Sequence, residues 1–231
     1  MIPKDAIPHY KPILDRGSFD IENSFYLRSD SYRIGKLLGQ YEVYKQIVGL
    51  PGSIVECGLY KGVSFVRWAT FRHLLETQES RKLIGFDAFG SFPEHGLSRE
   101  ADVEFAATHD ELAGGPGIAR DDLRRLLGAK GFGNFDLVEG NVLETLIEYF
   151  SANEHERIAL LHLDMDVYEP TMAALEQLWE RVVPGGLVLV DDYSTVLGAT
   201  QAVDDFLSGL GSRIRIQKAP YYKVPAYFLK P

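Results

Sequence analysis

Apolar positions recur along this chain with two different periods. Ile34, Leu37, Leu38, Tyr41, Val43, Tyr44, Ile47 and Val48 fall at helical spacing and predict a helix over 31–49. Residues 1–30 mix proline, glycine and charge with isolated aromatics, which predicts an irregular arm. After Pro51-Gly52, short β-rich runs at 53–57, 82–87, 135–139, 158–164 and 187–191 alternate with helical patterns at 63–76, 120–130, 142–150, 171–182 and 200–210. Such alternation builds parallel βαβ units with helices on both sheet faces. Two short segments, 213–217 and 225–229, joined by a Pro-Tyr-Tyr loop, predict a closing antiparallel hairpin. The expectation is a Rossmann-like α/β fold around a mostly parallel seven-stranded sheet. Residues 1–50 would form an arm and cap, and 51–231 the main domain. The stretch 90–119 lacks a clear period and contains Gly114-Gly115-Pro116-Gly117, so it reads as a lid over a site.

Composition narrows the function classes. A chain of 231 residues with 45% hydrophobic content can bury one sizeable core, and it contains no internal repeat. A net charge of -9, without a Lys/Arg block interleaved with aromatics, argues against nucleic acid. Neither a membrane-length apolar run nor a basic-then-apolar leader is present, so the expectation is a cytoplasmic protein with no membrane partner. Cys57 is the single cysteine, which leaves oxygen and imidazole as the available metal ligands.

In open α/β sheets ligands bind beyond the carboxyl ends of the strands, so the polar residues ending each apolar run are the candidates. Glu56 ends the first run and is followed by Gly58 and Gly62, a turn through which backbone can approach a ligand; an ordinary βα loop has the same glycines. Asp87 ends the second run, where a carboxylate can accept ribose hydroxyls or cap the next segment. Asp164 and Asp166 follow the fourth run, and Asp191-Asp192 the fifth. If those strands are neighbours, Asp164, Asp191 and Asp192 form a like-charge cluster that calls for a cation, with oxygen ligands suited to Mg2+. The competing reading is that these acids cap the helices starting near Pro170 and Thr200. Lone histidines such as His109 and His162 read as structural. Tyr168, Tyr193 and Tyr221-Tyr222 are candidates for an acceptor pocket or ordinary packing aromatics.

Five ordered blocks carry a family resemblance: Pro51-Gly-Ser-Ile-Val-Glu-Cys-Gly, Phe86-Asp-Ala-Phe-Gly-Ser-Phe-Pro, Glu139-Gly-Asn-Val-Leu-Glu-Thr-Leu, Leu163-Asp-Met-Asp-Val-Tyr-Glu-Pro-Thr and Pro184-Gly-Gly-Leu-Val-Leu-Val-Asp-Asp-Tyr. Together they resemble the macrocin O-methyltransferase family, metal-dependent sugar O-methyltransferases of antibiotic pathways with a class I methyltransferase fold. The resemblance implies S-adenosyl-L-methionine held by Glu56, Gly58, Tyr60, Gly62 and Ser64 at its methionine part. It further implies Asp87 on the ribose, Gly140 and Asn141 near the adenine, and Asp164 beside the cofactor. Asp164, Asp191 and Asp192 would bind Mg2+, with Asp166 as general base. The implied acceptor is a deoxysugar, nucleotide sugar or glycoside. Ala88 stands where relatives often have Ser, and residues 1–45 and 94–120 keep little similarity.

The chemistry would need both groups. A carboxylate of pKa ~3.9 faces a hydroxyl near ~15.7, a gap of about 12 units or on the order of 16 kcal/mol, so a base alone is too weak and a cation must stabilise the developing negative charge. A vicinal diol would chelate such an ion and align one oxygen with the methyl donor. The runners-up are a haloacid-dehalogenase-like Mg2+ phosphohydrolase built on Asp164-Met-Asp and a non-catalytic S-adenosylmethionine-binding protein. A nicotinamide dehydrogenase lacks its three-glycine fingerprint. Exposed apolar and tyrosine positions in the N-terminal helix predict a homo-oligomer contact.

Overall fold

The computed structural model describes residues 16–211, 214–221 and 224–231. Tyr222 and Arg213, singled out above, and the first fifteen residues of the predicted arm lie outside the described residues. The helices are α1 (Arg16–Arg28), α2 (Ser31–Ile47), α3 (Val63–Leu75), α4 (Glu100–Leu112), α5 (Arg120–Ala129), α6 (Val142–Ala152), α7 (Tyr168–Leu178) and α8 (Leu197–Gly209). The strands are β1 (Ser53–Cys57), β2 (Leu83–Asp87), β3 (Phe135–Glu139), β4 (Ile158–Leu163), β5 (Val182–Val190), β6 (Gln217–Lys218) and β7 (Ala226–Leu229). They form one seven-stranded sheet in the order β3-β2-β1-β4-β5-β7-β6. β1 to β5 are parallel, and β7 runs antiparallel to both β5 and β6.

Side chains alternate faces along each strand, so the sheet feeds two cores. Ile54, Leu83, Leu160 and Leu187 meet Val43, Tyr44, Trp68, Phe71, Leu123 and Leu127 from α2, α3 and α5 on one face. Val55, Ile84, Leu161 and Val188 meet Leu146, Phe150, Leu175, Leu178 and Val203 from α6, α7 and α8 on the other. Burial on both faces explains why these strands read as continuous apolar runs.

Four expectations need correction. Residues 16–28 form α1 rather than an irregular arm, and Phe19, Ile21, Tyr26 and Leu27 stay exposed along it. The supposed structureless lid contains α4, whose first turn carries Glu100 and Asp102, acids that favour a helix N-terminus. The helix expected to reach residue 182 ends at Leu178 with a single 3-10 turn, because Val182 already pairs with Ile158 ahead of an irregularity in the β4–β5 register. α8 begins at Leu197, three residues early, where Ala199 N–H donates to Asp166 O at 2.9 Å.

A buried ion pair fastens α2 and α3 to the start of the sheet. Arg81 Nε and Nη2 donate to Glu76 at 2.7 and 2.8 Å, and its guanidinium also reaches Gly52 O and Ile47 O at 3.0 and 2.9 Å. Tyr44 Oη adds a 2.5 Å bond to the same carboxylate, and the Arg81 and Glu76 side chains are 2% and 7% exposed. Removing one partner of such a pair strands the other charge in the interior. Arg81→Ala is therefore expected to destabilise the fold by about 3–5 kcal/mol and lower the melting temperature by about 10 °C. Thermal unfolding followed by circular dichroism checks this, and a drop under about 2 °C would contradict it.

Candidate active site

The strand order reverses between β1 and β4, and a cavity of about 400 Å3 opens at the carboxyl ends of the strands around this switch point. That volume falls in the roughly 300–1,000 Å3 range of small-molecule sites. Gly58, Tyr60, Ser64, Asp87, Gly140, Asn141, Asp164, Asp166 and Asp191 all line it. Glu56, Gly62 and Asp192, named from the sequence alongside them, are not among its lining residues.

The turn after β1 is shaped by close packing. Gly58 has φ 88°, and a Cβ there would sit 1.8 Å from the carbonyl oxygen of Asp164, so only glycine lets β1 and β4 approach this closely. Asp87 at the end of β2 holds this turn from the side. Its Oδ2 accepts from Leu59 N and Tyr60 N at 2.6 and 3.0 Å, and its Oδ1 from Phe89 N at 2.6 Å. Burial raises the Asp87 pKa, and the three N–H donors only partly offset it. Gly62 is the left-handed residue before α3, and Ser64 lies in that helix's first turn. Gly140 N–H donates to Asp87 O at 3.0 Å, and Asn141 caps α6 through Leu143 N at 3.0 Å while its amide donates to His95 O at 3.1 Å.

The acids after β4 and β5 converge. Neither α7 nor α8 takes a side-chain cap from them, since Val167 and Val196 occupy the cap positions. Ligand atoms of His162, Asp164 and Asp191 lie within 4.8 Å of one another, a set that can hold a metal ion. Two carboxylates at that separation repel by about 3.5 kcal/mol at an effective dielectric of about 20. Burial, then the charges of Asp191 and Asp192, push the Asp164 pKa well up. Burial, then Asp164 and Asp191, push Asp166 up to about 7. Asp192 is raised by burial and then by Asp166 and Asp191, and its Oδ2 has no hydrogen-bond partner.

Asp191 behaves differently because cations flank it. Burial opposes its ionisation, but His162 and Lys36 outweigh burial and hold its pKa below the usual carboxylate range. Lys36 Nζ lies 2.5 Å from Asp191 Oδ2, and His162 Nε2 lies 3.7 Å from Oδ1, an ion-pair approach too long for a hydrogen bond. His162 Nδ1 meets Glu56 Oε1 at 3.1 Å in the fully buried interior. Burial lowers the His162 pKa, yet Asp191 and Glu56 raise it further, so the ring is held cationic.

Sequence reasoning missed His162, Lys36 and Asp102. The register places Glu56 beside His162 and His162 beside Leu189, two residues before Asp191. Polar residues in phase on three adjacent strands were the available signal. Lys36 comes from α2, outside the sheet, and lines the cavity with Arg33 and Arg67. Asp102, 4% exposed on α4, accepts from Tyr168 N at 2.8 Å and so docks α4 on the start of α7. Ser98 N bonds Glu169 at 3.0 Å, and Arg99 stacks 3.4 Å from the Tyr168 ring centroid. Tyr168 and Tyr193 point to Asp205 and Asp204 at 3.0 and 2.8 Å, and neither they nor Tyr221 line the cavity.

Relatives share these segments. The chain is 30% identical over 169 residues to the 8-demethyl-8-(2,3-dimethoxy-alpha-L-rhamnosyl)-tetracenomycin-C 4'-O-methyltransferase of Streptomyces olivaceus, covering 71% of this chain and 60% of that one. It is 28% identical over 166 residues to the demethyldecarbamoylnovobiocin O-methyltransferase of Streptomyces niveus, covering 68% of this chain and 58% of the relative. The chain thus spans about three fifths of the length of these two proteins. The crystal structure of the calicheamicin methyltransferase CalS11 superposes with a TM-score of 0.71 at 25% identity, covering 97% of this chain and 88% of the other. Residues 38–218, which hold the acidic cluster and the cavity lining apart from Arg33 and Lys36, match the macrocin-O-methyltransferase (TylF) family, and the chain belongs to that family.

Proposed function

We propose that this protein is an S-adenosylmethionine-dependent, Mg2+-dependent O-methyltransferase acting on a hydroxyl of a sugar, free, nucleotide-linked or carried on a small molecule. The observation that carries the reading is the meeting of Asp164, Asp166 and Asp191 in the same cavity as the Gly58 turn and Asp87. Family membership and relatives named as O-methyltransferases of glycosylated antibiotics support it. The row of exposed apolar side chains on α1 is the surface on which a homo-oligomer would form. A phosphohydrolase built on Asp164-Met-Asp finds no support in the family match.

The residues present fit a metal. Asp191 Oδ1 and Asp192 Oδ2 are buried without hydrogen-bond partners, and Asp164 and Asp191 offer hard oxygen donors. Asp164 and Asp191, with Asp192 beside them, would hold it. Bound there, the metal supplies Lewis-acid stabilisation of the negative charge that develops on the acceptor oxygen. Glu56 fixes the imidazole of His162, which in turn faces Asp191 and keeps that carboxylate oriented.

Asp166 takes the acceptor proton. It lines the cavity, and a carboxylate lifted to about 7 is a far better proton acceptor than an exposed one. The donor cofactor supplies the methyl group, and the Gly58–Ser64 turn, Asp87, Gly140 and Asn141 form the wall that would seat it. Tyr60 Oη closes that wall by donating to Ala113 O and, at 3.2 Å, to Gly115 O of the lid. Lid residues 90, 117 and 118 also bond across it, Gly117 N to Gly90 O and Ile118 N to Tyr60 O, both at 2.7 Å.

Methyl transfer from labelled S-adenosylmethionine to a panel of nucleotide sugars and deoxysugar glycosides tests the reading. Asp191→Asn is expected to abolish turnover while cofactor affinity by calorimetry stays near wild type, and EDTA should silence the wild type. Full activity in chelator would remove the metal from the reaction. Asp166→Asn is expected to lower kcat by roughly 10²–10⁴-fold, the usual contribution of a general base, with Mg2+ binding retained. An unchanged kcat would take Asp166 out of the proton transfer.

A further inference from the structure

Lys36 stands apart from every other cation of the cavity. It projects from α2 onto Asp191 at 2.5 Å, with 18% of its own side chain and 8% of the partner's exposed. Burial disfavours its charge, but Asp164, Asp191 and Asp192 all act to keep the ammonium protonated. Among the described residues the Arg67 guanidinium, in the same cavity, donates instead to Gln40 Oε1 at 3.0 Å, and Arg33 is exposed at the rim. Lys36, a flexible side chain from outside the sheet, is thus the cavity cation that pairs directly with Asp191 of the acidic cluster.

We propose that Lys36 is a resident counter-cation of the aspartate site, seated on Asp191 when the metal is absent and displaced by the metal when it binds. The inference rests on the metal reading above. Asp191 Oδ2 is taken by Lys36, and Oδ1 faces His162 Nε2 at 3.7 Å. A divalent ion on Asp164 and Asp191 would stand within a few ångströms of the ammonium, and two cations at that range repel while competing for the same oxygens. Asp164 and Asp191 together would hold the metal, whereas the ammonium is a single positive charge on a flexible four-carbon stem that can swing into the cavity.

The helix itself is wedged in place. A Cβ on Gly39 would lie 2.8 Å from Pro220 O, and Gln40 is tied to Arg67, so exchange proceeds by rotation of the Lys36 side chain. Before loading, the ammonium relieves the repulsion among Asp164, Asp191 and Asp192. After loading it is freed into the part of the cavity that Arg33 and Arg67 also line.

The test uses the full chain stripped with chelator and titrated with MgCl2 or MnCl2 by isothermal calorimetry, alongside thermal melts with and without Mg2+. Lys36→Met and Lys36→Gln are expected to bind the metal on the order of tenfold more tightly than wild type, a usual size for coupling between competing ligands. Their metal-free melting temperatures should fall below wild type, and Mg2+ should raise them by more than it raises the wild type. Lys36→Arg keeps the charge and should retain an affinity near wild type. Equal or weaker metal binding in the Met and Gln variants would overturn the exchange, because a lysine that only orients Asp191 helps the metal bind. Uptake of metal by none of the proteins would instead overturn the metal reading itself, and with it the exchange.

Discussion

Carboxylates crowd where β4 and β5 run out, and the rest of the site is arranged around their mutual repulsion. Asp164, Asp166, Asp191 and Asp192 lie in two short turns at neighbouring strand ends, and burial removes the water that would screen them. Three are driven toward the neutral form, and one is kept ionised. The exception, Asp191, is the one flanked by His162 and Lys36. The asymmetry sorts the cluster chemically. An ionised carboxylate suits an electrostatic anchor, and a carboxylate with raised pKa suits proton transfer.

That arrangement draws in parts of the chain remote from the sheet edge. The His162 pKa is raised against burial by Asp191 at one ring nitrogen and by Glu56, one strand away, at the other. Lys36 reaches the site because α2 packs on the same core face as α3, fastened by Arg81 and Glu76. On the opposite side α4 is docked by Asp102 against the start of α7, two residues after Asp166. A helix preceding the sheet and a helix inserted between β2 and β3 thus enclose chemistry carried by β4 and β5.

Much of this was legible in the sequence. β1 and β3 were read to the residue, and β2 and β4 to within one residue: β1, β2 and β4 because both of their faces are buried, and β3, a half-exposed edge strand, because Gly133-Asn134 before it and Gly140 after it delimit the run. The strand-end aspartates were found by the same rule. What escaped depends on tertiary placement. His162 sits inside an apolar run, and its meaning arises from in-phase neighbours on β1 and β5 that no local window contains. Lys36 looks like an ordinary polar position of an amphipathic helix until α2 is docked. α4 was hidden because its apolar residues do not form a strong stripe, and the buried Asp102 belongs to its contact with α7 rather than to helix formation. Asp87 was read as accepting ribose hydroxyls or capping the next segment; three backbone N–H groups that no local window brings together converge on it in the cavity wall.

Asp87 leads to the last link between fold and chemistry, which is backbone strain. Tyr60, Phe89, Asp166 and Ser194 are non-glycine residues with positive φ, at 49°, 52°, 64° and 69°, and each lies in the turn after one of β1, β2, β4 and β5. A left-handed non-glycine residue costs about 1–3 kcal/mol and persists only where its surroundings hold it. Each of these is held. Asp87 binds the N–H groups of both Tyr60 and Phe89, Thr200 Oγ1 accepts from Ser194 N at 2.9 Å, and Asp166 O accepts from Ala199 N at 2.9 Å. The turns after β2 and β5 are pinned from within their own βα units, by Asp87 and by Thr200 of α8, whereas the turns after β1 and β4 are pinned from other units, by Asp87 of β2 and Ala199 of α8. The turns after β1 and β4 therefore depend on β2 and α8 being in place, and in the assembled sheet hydrogen bonds hold all four turns at the cavity rim. Preorganisation of this kind is what the proposed methyl transfer would require, since the acceptor oxygen, the base and the methyl donor would have to meet within a few tenths of an ångström.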